Sequence, residues 1–141
     1  MGRLTLSFDV YGLPAPQGSK RCFNNRVVDA SPAKLKLWRK IVTEATTEAL
    51  ENSEWAVFDE PVEVTVKFYL PRGKTVKREY PTVPPDLDKL ARSVLDSLTD
   101  AKAWGDDSQV CKLVAFKVYA DDREPGAYIE ICKYNEKVTK A

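Results

Sequence analysis

The sequence predicts a two-layer α+β fold, a mixed sheet carrying two helices on one face, and three observations point to it. Four stretches are strand-like, two are amphipathic at helical spacing, and they follow one another in the order β-α-β-α-β-β. At 141 residues and 43% hydrophobic, the chain is long enough to bury one core and too short for two ordinary domains, so residues 1–141 are expected to form a single domain.

The first strand-like stretch is LTLSFDVYG, with Leu4, Leu6, Phe8 and Val10 on one face and Thr5, Ser7, Asp9 and Tyr11 on the other. Leu13 to Ser19 carries two prolines and a glycine and cannot continue a central strand, so it is a loop. Lys20 to Val28 contains Asn24-Asn25 between short apolar or basic stretches, which suits a tight hairpin and gives a small basic flap. Ser31-Pro32 has the form of an N-cap followed by proline at the first helical position. Leu35, Trp38, Ile41, Val42, Ala45 and Ala49 then recur at helical spacing, and the helix ends near Asn52.

Val62, Val64, Val66, Phe68 and Leu70 alternate with Glu63, Thr65, Lys67 and Tyr69 between Pro61 and Pro71, the pattern of a strand with one wetter face. Arg72 to Pro85 has charges, prolines and no apolar periodicity, and reads as an exposed, mobile loop. From about Asp86 to Leu98, the residues Leu87, Leu90, Ala91, Val94, Leu95 and Leu98 form the clearest apolar stripe in the chain. Gln109 to Tyr119 and Ala127 to Tyr134 are rich in β-branched and aromatic residues, joined through Pro125-Gly126, and are expected to form a β-hairpin before a polar tail.

Composition narrows the chemistry. The N-terminus has no apolar signal-like region and no apolar run approaches membrane-spanning length, so a soluble, unsecreted, cytoplasmic protein is expected. Cys22, Cys111 and Cys132 are odd in number, lack metal-type spacing and sit in strand-like stretches, as reduced thiols do. With no histidine, imidazole acid/base pairs, Ser-His triads and imidazole-dependent zinc sites are excluded. Catalysis must run on carboxylates, Lys, Arg, Tyr or a hard metal ion.

The net charge of +1 conceals strong segregation. Between Gly12 and Thr43 lie Lys20, Arg21, Arg26, Lys34, Lys36, Arg39 and Lys40 against Asp29 alone, and Arg72, Lys74, Lys77 and Arg78 form a second basic run. Six aspartates stand between Asp86 and Asp107. Local positive fields beside an acidic centre suit a DNA-binding protein with a metal site, although most charge runs are solvated faces.

Asp86 and Asp88 open the second helix, where the helix dipole favours negative charge, so capping explains either one alone. Two aspartates clear of the stripe, with Asp106-Asp107 at the far turn, form a denser set than capping requires. Gathered carboxylates repel unless a hard cation sits among them, and magnesium, with manganese as the alternative, keeps coordination positions for water and phosphate oxygens.

The stretch PPDLDKLARSVLDSLTDAKAWGDDSQV, from Pro84 to Val110, closely resembles the signature of the RusA family of Holliday-junction resolvases. Its marks are an Asp-x-Asp opening a helix, a basic residue one turn on, a Leu-Asp-x-Leu, then an aromatic residue and Asp-Asp-x-Gln-Val entering a strand. The early Pro-Ala-Pro-Gln-Gly-Ser-Lys-Arg also resembles phage-borne relatives. The resemblance implies a RusA-like fold, a phage or prophage origin and a homodimeric, magnesium-dependent endodeoxyribonuclease of DNA recombination and repair that cuts four-way junctions by paired nicks. It places the metal-binding and catalytic roles on Asp86, Asp88 and Asp107, with Asp106 adjacent and able to share the metal.

The family pattern often has Asn after the second Asp, where this chain has Lys89, and a Lys one turn later, where it has Arg92. Lys89 is then a phosphate contact. Arg92 stands four residues after Asp88 and can brace that carboxylate or stabilise phosphate charge, but it holds its proton too firmly to act as a general acid; the alternative is an ordinary surface pair. Asp96 reads as structural, bonded to nearby backbone or to Arg92. Trp104 reads as a core or dimer-contact aromatic, and Asp100 and Lys102 carry no role.

Duplex arms call for distributed cations, for which Lys20, Arg21 and Arg26 on the flap and Arg72, Lys74, Lys77 and Arg78 in the loop are the candidates, against the alternative of a solvated surface. Two matched cuts call for a C2 dimer, with the leftover apolar faces of the last two strands and Trp104 as candidate contacts. Two other readings of the same residues are a less selective branched-DNA nuclease and a junction-binding protein whose catalysis Lys89 and Arg92 impair. The plainest reading, an α+β domain whose aspartates only cap and solubilise, predicts no dependence on magnesium.

Overall fold

The structure, a computed structural model, describes residues 4–18, 20–23, 26–29 and 31–135, with the backbone alone between 20 and 29. It comprises β1 (Thr5–Tyr11), β2 (Lys20–Phe23), β3 (Arg26–Asp29), α1 (Pro32–Glu51), β4 (Val62–Leu70), α2 (Leu87–Asp100), a single 3-10 turn (Asp107–Gln109), β5 (Val110–Tyr119) and β6 (Gly126–Lys133). The fold is α+β, with a mixed four-stranded sheet in the order β1-β6-β4-β5, and β2 and β3 pair as a separate two-stranded hairpin. Among the described residues no helix is long and apolar enough to cross a membrane.

The expected hairpin of the last two strands is corrected by this order. β4 lies between them, parallel to β5 and antiparallel to β6. The physical reason is burial. Val62, Val64, Val66 and Phe68 are all completely buried, so β4 stabilises the core most from a central position. The connection from Tyr119 to Gly126 is long enough to cross the end of β4, because neighbouring strands stand only about 4.8 Å apart.

The helices lie over the apolar face of the sheet. Trp38 and Val42 of α1 and Leu90, Val94 and Leu98 of α2 are completely buried with Ile129 and Ile131 of β6 in one hydrophobic cluster. Both helix starts fall where the sequence places them, but neither cap side chain bonds to its helix. Ser31 adopts φ 58° and Asp86 is extended. Asp86 is thus a cap by position whose carboxylate makes no cap bond.

β4, α2 and β5 form a strand-helix-parallel-strand unit, so α2 returns from the end of β4 to the beginning of β5. Its 14 residues span about 21 Å. β5 is one edge of the sheet, with β1 the other, and Leu113, Val114 and Phe116 on β5 remain exposed.

Candidate active site

The segment that leads into α2 is held from several sides. Arg72 donates to the carbonyls of Val76 (3.2 Å) and Arg78 (2.6 Å), pairs through two nitrogens with Asp121 (2.8 and 3.0 Å), and stacks on the Tyr119 ring at 4.2 Å. The hydrogen bond from Arg72 holds the Asp121 carboxyl below its ordinary range. Arg72 therefore shapes the stretch that the sequence marks as a mobile loop, while Lys74, Lys77 and Arg78 stand exposed on it. Arg78 also donates to the Tyr119 hydroxyl at 2.8 Å.

Closer to the helix, Lys117 of β5 donates to the carbonyls of Val83 (2.9 Å) and Pro85 (2.8 Å), just before Asp86. Lys117 pairs with Phe68 in the parallel ladder, so a cation stands opposite a completely buried apolar residue. In the sequence Lys117 alternates with Val114, Phe116 and Val118 as an ordinary polar strand position, so no local signal marked it, and only the register opposite Phe68 does.

Asp86 and Asp88 are both exposed. Lys89 approaches Asp86 at 3.5 Å, and among the described residues Arg92 forms no ion pair with Asp88. The loop before the flap docks on the same helix: the Gln17 N–H donates to the Lys89 carbonyl at 3.0 Å, and the Gln17 amide donates to Asp96. Asp96 is structural, with Gln17 in place of the expected backbone or Arg92 partner. Gly18 adopts φ +84°, and a Cβ there would lie 3.3 Å from an Arg92 nitrogen, so glycine both makes this turn and admits Arg92 beside it. The side chains of Lys20, Arg21, Cys22 and Arg26 lie outside the described residues; Cys111 and Cys132 are thiols, one exposed and one buried.

The other end of α2 is a rigid corner. Trp104 is 2% exposed, and its indole donates to Thr99 at 2.8 Å, which makes it a core residue; Asp100 pairs with Arg39 of α1 at 2.6 Å. Asp106 accepts from the Ser108 N–H at 3.0 Å, and Gln109 accepts from the Asp106 N–H at 3.0 Å, a complete capping box. The hydrogen bonds of Ser108 hold the Asp106 carboxyl below its ordinary range. Gln109 also donates to the carbonyls of Phe58 (3.2 Å) and Glu60 (3.1 Å). Asp107 is exposed one residue beyond the cap.

The structure places Asp86 and Asp88 at the start of α2, and Asp106 and Asp107 beyond its other end, so that a helix about 21 Å long separates the two pairs. Among the described residues no three acidic or cysteine side chains of one chain are grouped to hold a metal ion. The Asp86 and Asp88 pair is chemically fit for magnesium, which needs only one or two protein carboxylates when phosphate oxygens complete its shell.

No curated protein matches the chain significantly. The family model described as Endodeoxyribonuclease RusA matches residues 12–132, a span that runs from the turn ahead of the flap to the end of β6 and takes in both aspartate pairs, so the chain belongs to the RusA endodeoxyribonuclease family.

Proposed function

We propose that this nuclease resolves four-way DNA junctions by paired, magnesium-dependent nicks in recombination and repair, and that it does so as a C2 homodimer whose sites combine Asp86 and Asp88 of one chain with Asp107 of the other. The observation that carries this reading is the separation of the two aspartate pairs at opposite ends of α2 beside an open, apolar-studded edge strand. Antiparallel pairing of two β5 edges sets the beginning of one β5 alongside the end of the other. The beginning is where Asp107 precedes Val110, and the end is where Lys117 grips the segment before Asp86. The same pairing buries Val114 and satisfies the backbone groups that an edge strand leaves open.

In this arrangement Asp86 and Asp88 are the primary carboxylates, with Asp107 completing the set and Asp106 fixing the turn that presents it. Magnesium, when bound, neutralises phosphate charge and activates water for attack. Arg92, which Gly18 admits beside the turn, stabilises the phosphate electrostatically through its guanidinium. Lys74, Lys77, Arg78 and Lys89, with Lys20, Arg21 and Arg26 on the flap, neutralise phosphates of the arms. Arg72 contributes by fixing the loop that carries three of them.

The test is complementation on a synthetic four-way junction beside a linear duplex, in magnesium and in EDTA. Asp88→Asn and Asp107→Asn are each expected to be inactive. A mixture of the two contains dimers in which one composite site has every wild-type aspartate, so nicking of the junction returns. A mixture as inactive as its parents overturns the shared site, equal cutting of duplex leaves a general nuclease, and tight binding without cutting by wild type leaves a binding protein.

A further inference from the structure

Beside the carboxylates lies a cavity of about 340 Å³ between the end of β4, residues 71–85 and the start of α1, and we infer that it takes a nucleobase unstacked from the DNA next to the scissile phosphate. This inference rests on the endonuclease reading above. Its volume falls within the roughly 300–1,000 Å³ of small-ligand sites. Its walls are largely apolar and include Leu70, Val76, Val83, Pro84 and Tyr119. Among the described residues the charged side chains that line it are Lys34 and Arg78, both cationic, and no carboxylate does so. Lys34 stands in the first turn of α1, which contains no acidic residue, so the helix dipole adds to the same sign.

That combination selects among occupants. An apolar peptide segment has no use for two cations, and a bare phosphate has none for apolar walls. A base joined to its phosphate uses both: the ring packs on the prolines and valines, and the cations face the backbone. The Tyr119 hydroxyl accepts from Arg78 at 2.8 Å, which leaves its own hydrogen to donate to a ring nitrogen or carbonyl of the base. The location fits as well, because Pro85 lines the cavity and the next residue is Asp86. A base held here sets the adjoining phosphate at the carboxylates, and extrusion costs least where a base is already unpaired or poorly stacked, as at a branch point that has opened.

The test places 2-aminopurine at each nucleotide flanking the cleavage position of a four-way junction and follows its fluorescence on binding the full chain in EDTA. With wild type, fluorescence rises at one flanking position. Val76→Trp fills the cavity from the loop; the rise is lost and binding weakens roughly tenfold, equivalent to about 1.4 kcal/mol. Lys34→Ala, on an exposed helical turn that does not threaten folding, is expected to reduce the rise as well. A wild-type complex in which the probe stays quenched at every position overturns the pocket and leaves the nuclease reading standing. So does a Val76→Trp or Lys34→Ala chain that keeps the full signal. Failure of wild type to bind the junction overturns both.

Discussion

The two ends of α2 carry similar letters and do opposite work. At the Asp106 end the capping box, the Gln109 bridges to Phe58 and Glu60, and the buried Trp104 fix a corner on which Asp107 stands exposed. At the Asp86 end the backbone is braced from outside by Lys117, Arg72 and Gln17, while the carboxylates of Asp86 and Asp88 make no cap bond to the helix. Adjacent aspartates are therefore not equivalent. A side chain that satisfies its own backbone is already used, whereas the Asp86 carboxylate makes no cap bond and, among the described residues, is met only by Lys89 at 3.5 Å.

The largest effects are expected where this contrast is broken directly. Asp107→Asn and Asp88→Asn should each lower junction cleavage on the order of a thousandfold or more while leaving binding to the junction in EDTA intact. Asp106→Asn should keep both cleavage and stability, since asparagine caps as well as aspartate, whereas Asp106→Ala should lower the melting temperature and, by loosening the turn that presents Asp107, weaken cleavage far less than Asp107→Asn does. An Asp106→Asn chain as dead as Asp107→Asn makes Asp106 a ligand and removes the distinction.

Breaking the edge strand comes next in size. Val114→Arg introduces a charge on the outer face of β5, and the protein is expected to sediment as a folded monomer, with near-native circular dichroism and lost cleavage. A fully active monomer would remove the need for a second chain.

Lys117→Met tests the brace. It leaves the Val83 and Pro85 carbonyls without their donor. We expect roughly a tenfold loss of cleavage together with a higher magnesium concentration for half-maximal rate, as for changes behind metal ligands. Lys117→Arg should recover most of it. A loss of melting temperature with unchanged magnesium dependence makes Lys117 merely structural.

Smaller effects belong to the periphery of each end. Lys74→Ala and Lys77→Ala should each reduce the slope of log affinity against log salt by about 1, read by titrations of junction binding at several salt concentrations. At the rigid end, the Lys133 side chain and then the Phe58 N–H hold the Glu60 carboxyl down from 4.5 to about 2. A carboxyl lowered on folding stabilises fully above its unfolded value, so this contribution is present above about pH 4.5 and is lost as pH falls toward 2. Melting temperatures of Glu60→Gln should accordingly fall less steeply than wild type across that window.

Much of the fold was legible because it follows from local periodicity. The stripe from Leu87 to Leu98 has one helical solution, and the alternation from Val62 to Leu70 has one strand solution. Pairing was not legible, since Gln109 to Tyr119 and Ala127 to Tyr134 read equally well as partners or as strangers. Only the competition for the centre of the sheet, won by the wholly buried face of β4, separated them. The same limit applies to the site. Spacing singled out Asp86, Asp88, Asp106 and Asp107 as candidates and the family resemblance gave them roles, but the distance between the pairs depends on where α2 runs.

What the sequence by itself determined is therefore the residue types, the element boundaries and the family signature, all properties of short, contiguous segments. What only the tertiary structure decided is which carboxylates are already spent, that Lys117 reaches the segment before Asp86, and that one chain holds the aspartate pairs apart. Those facts depend on contacts between residues far apart in the chain, where burial and backbone hydrogen bonding, and not local pattern, set the geometry.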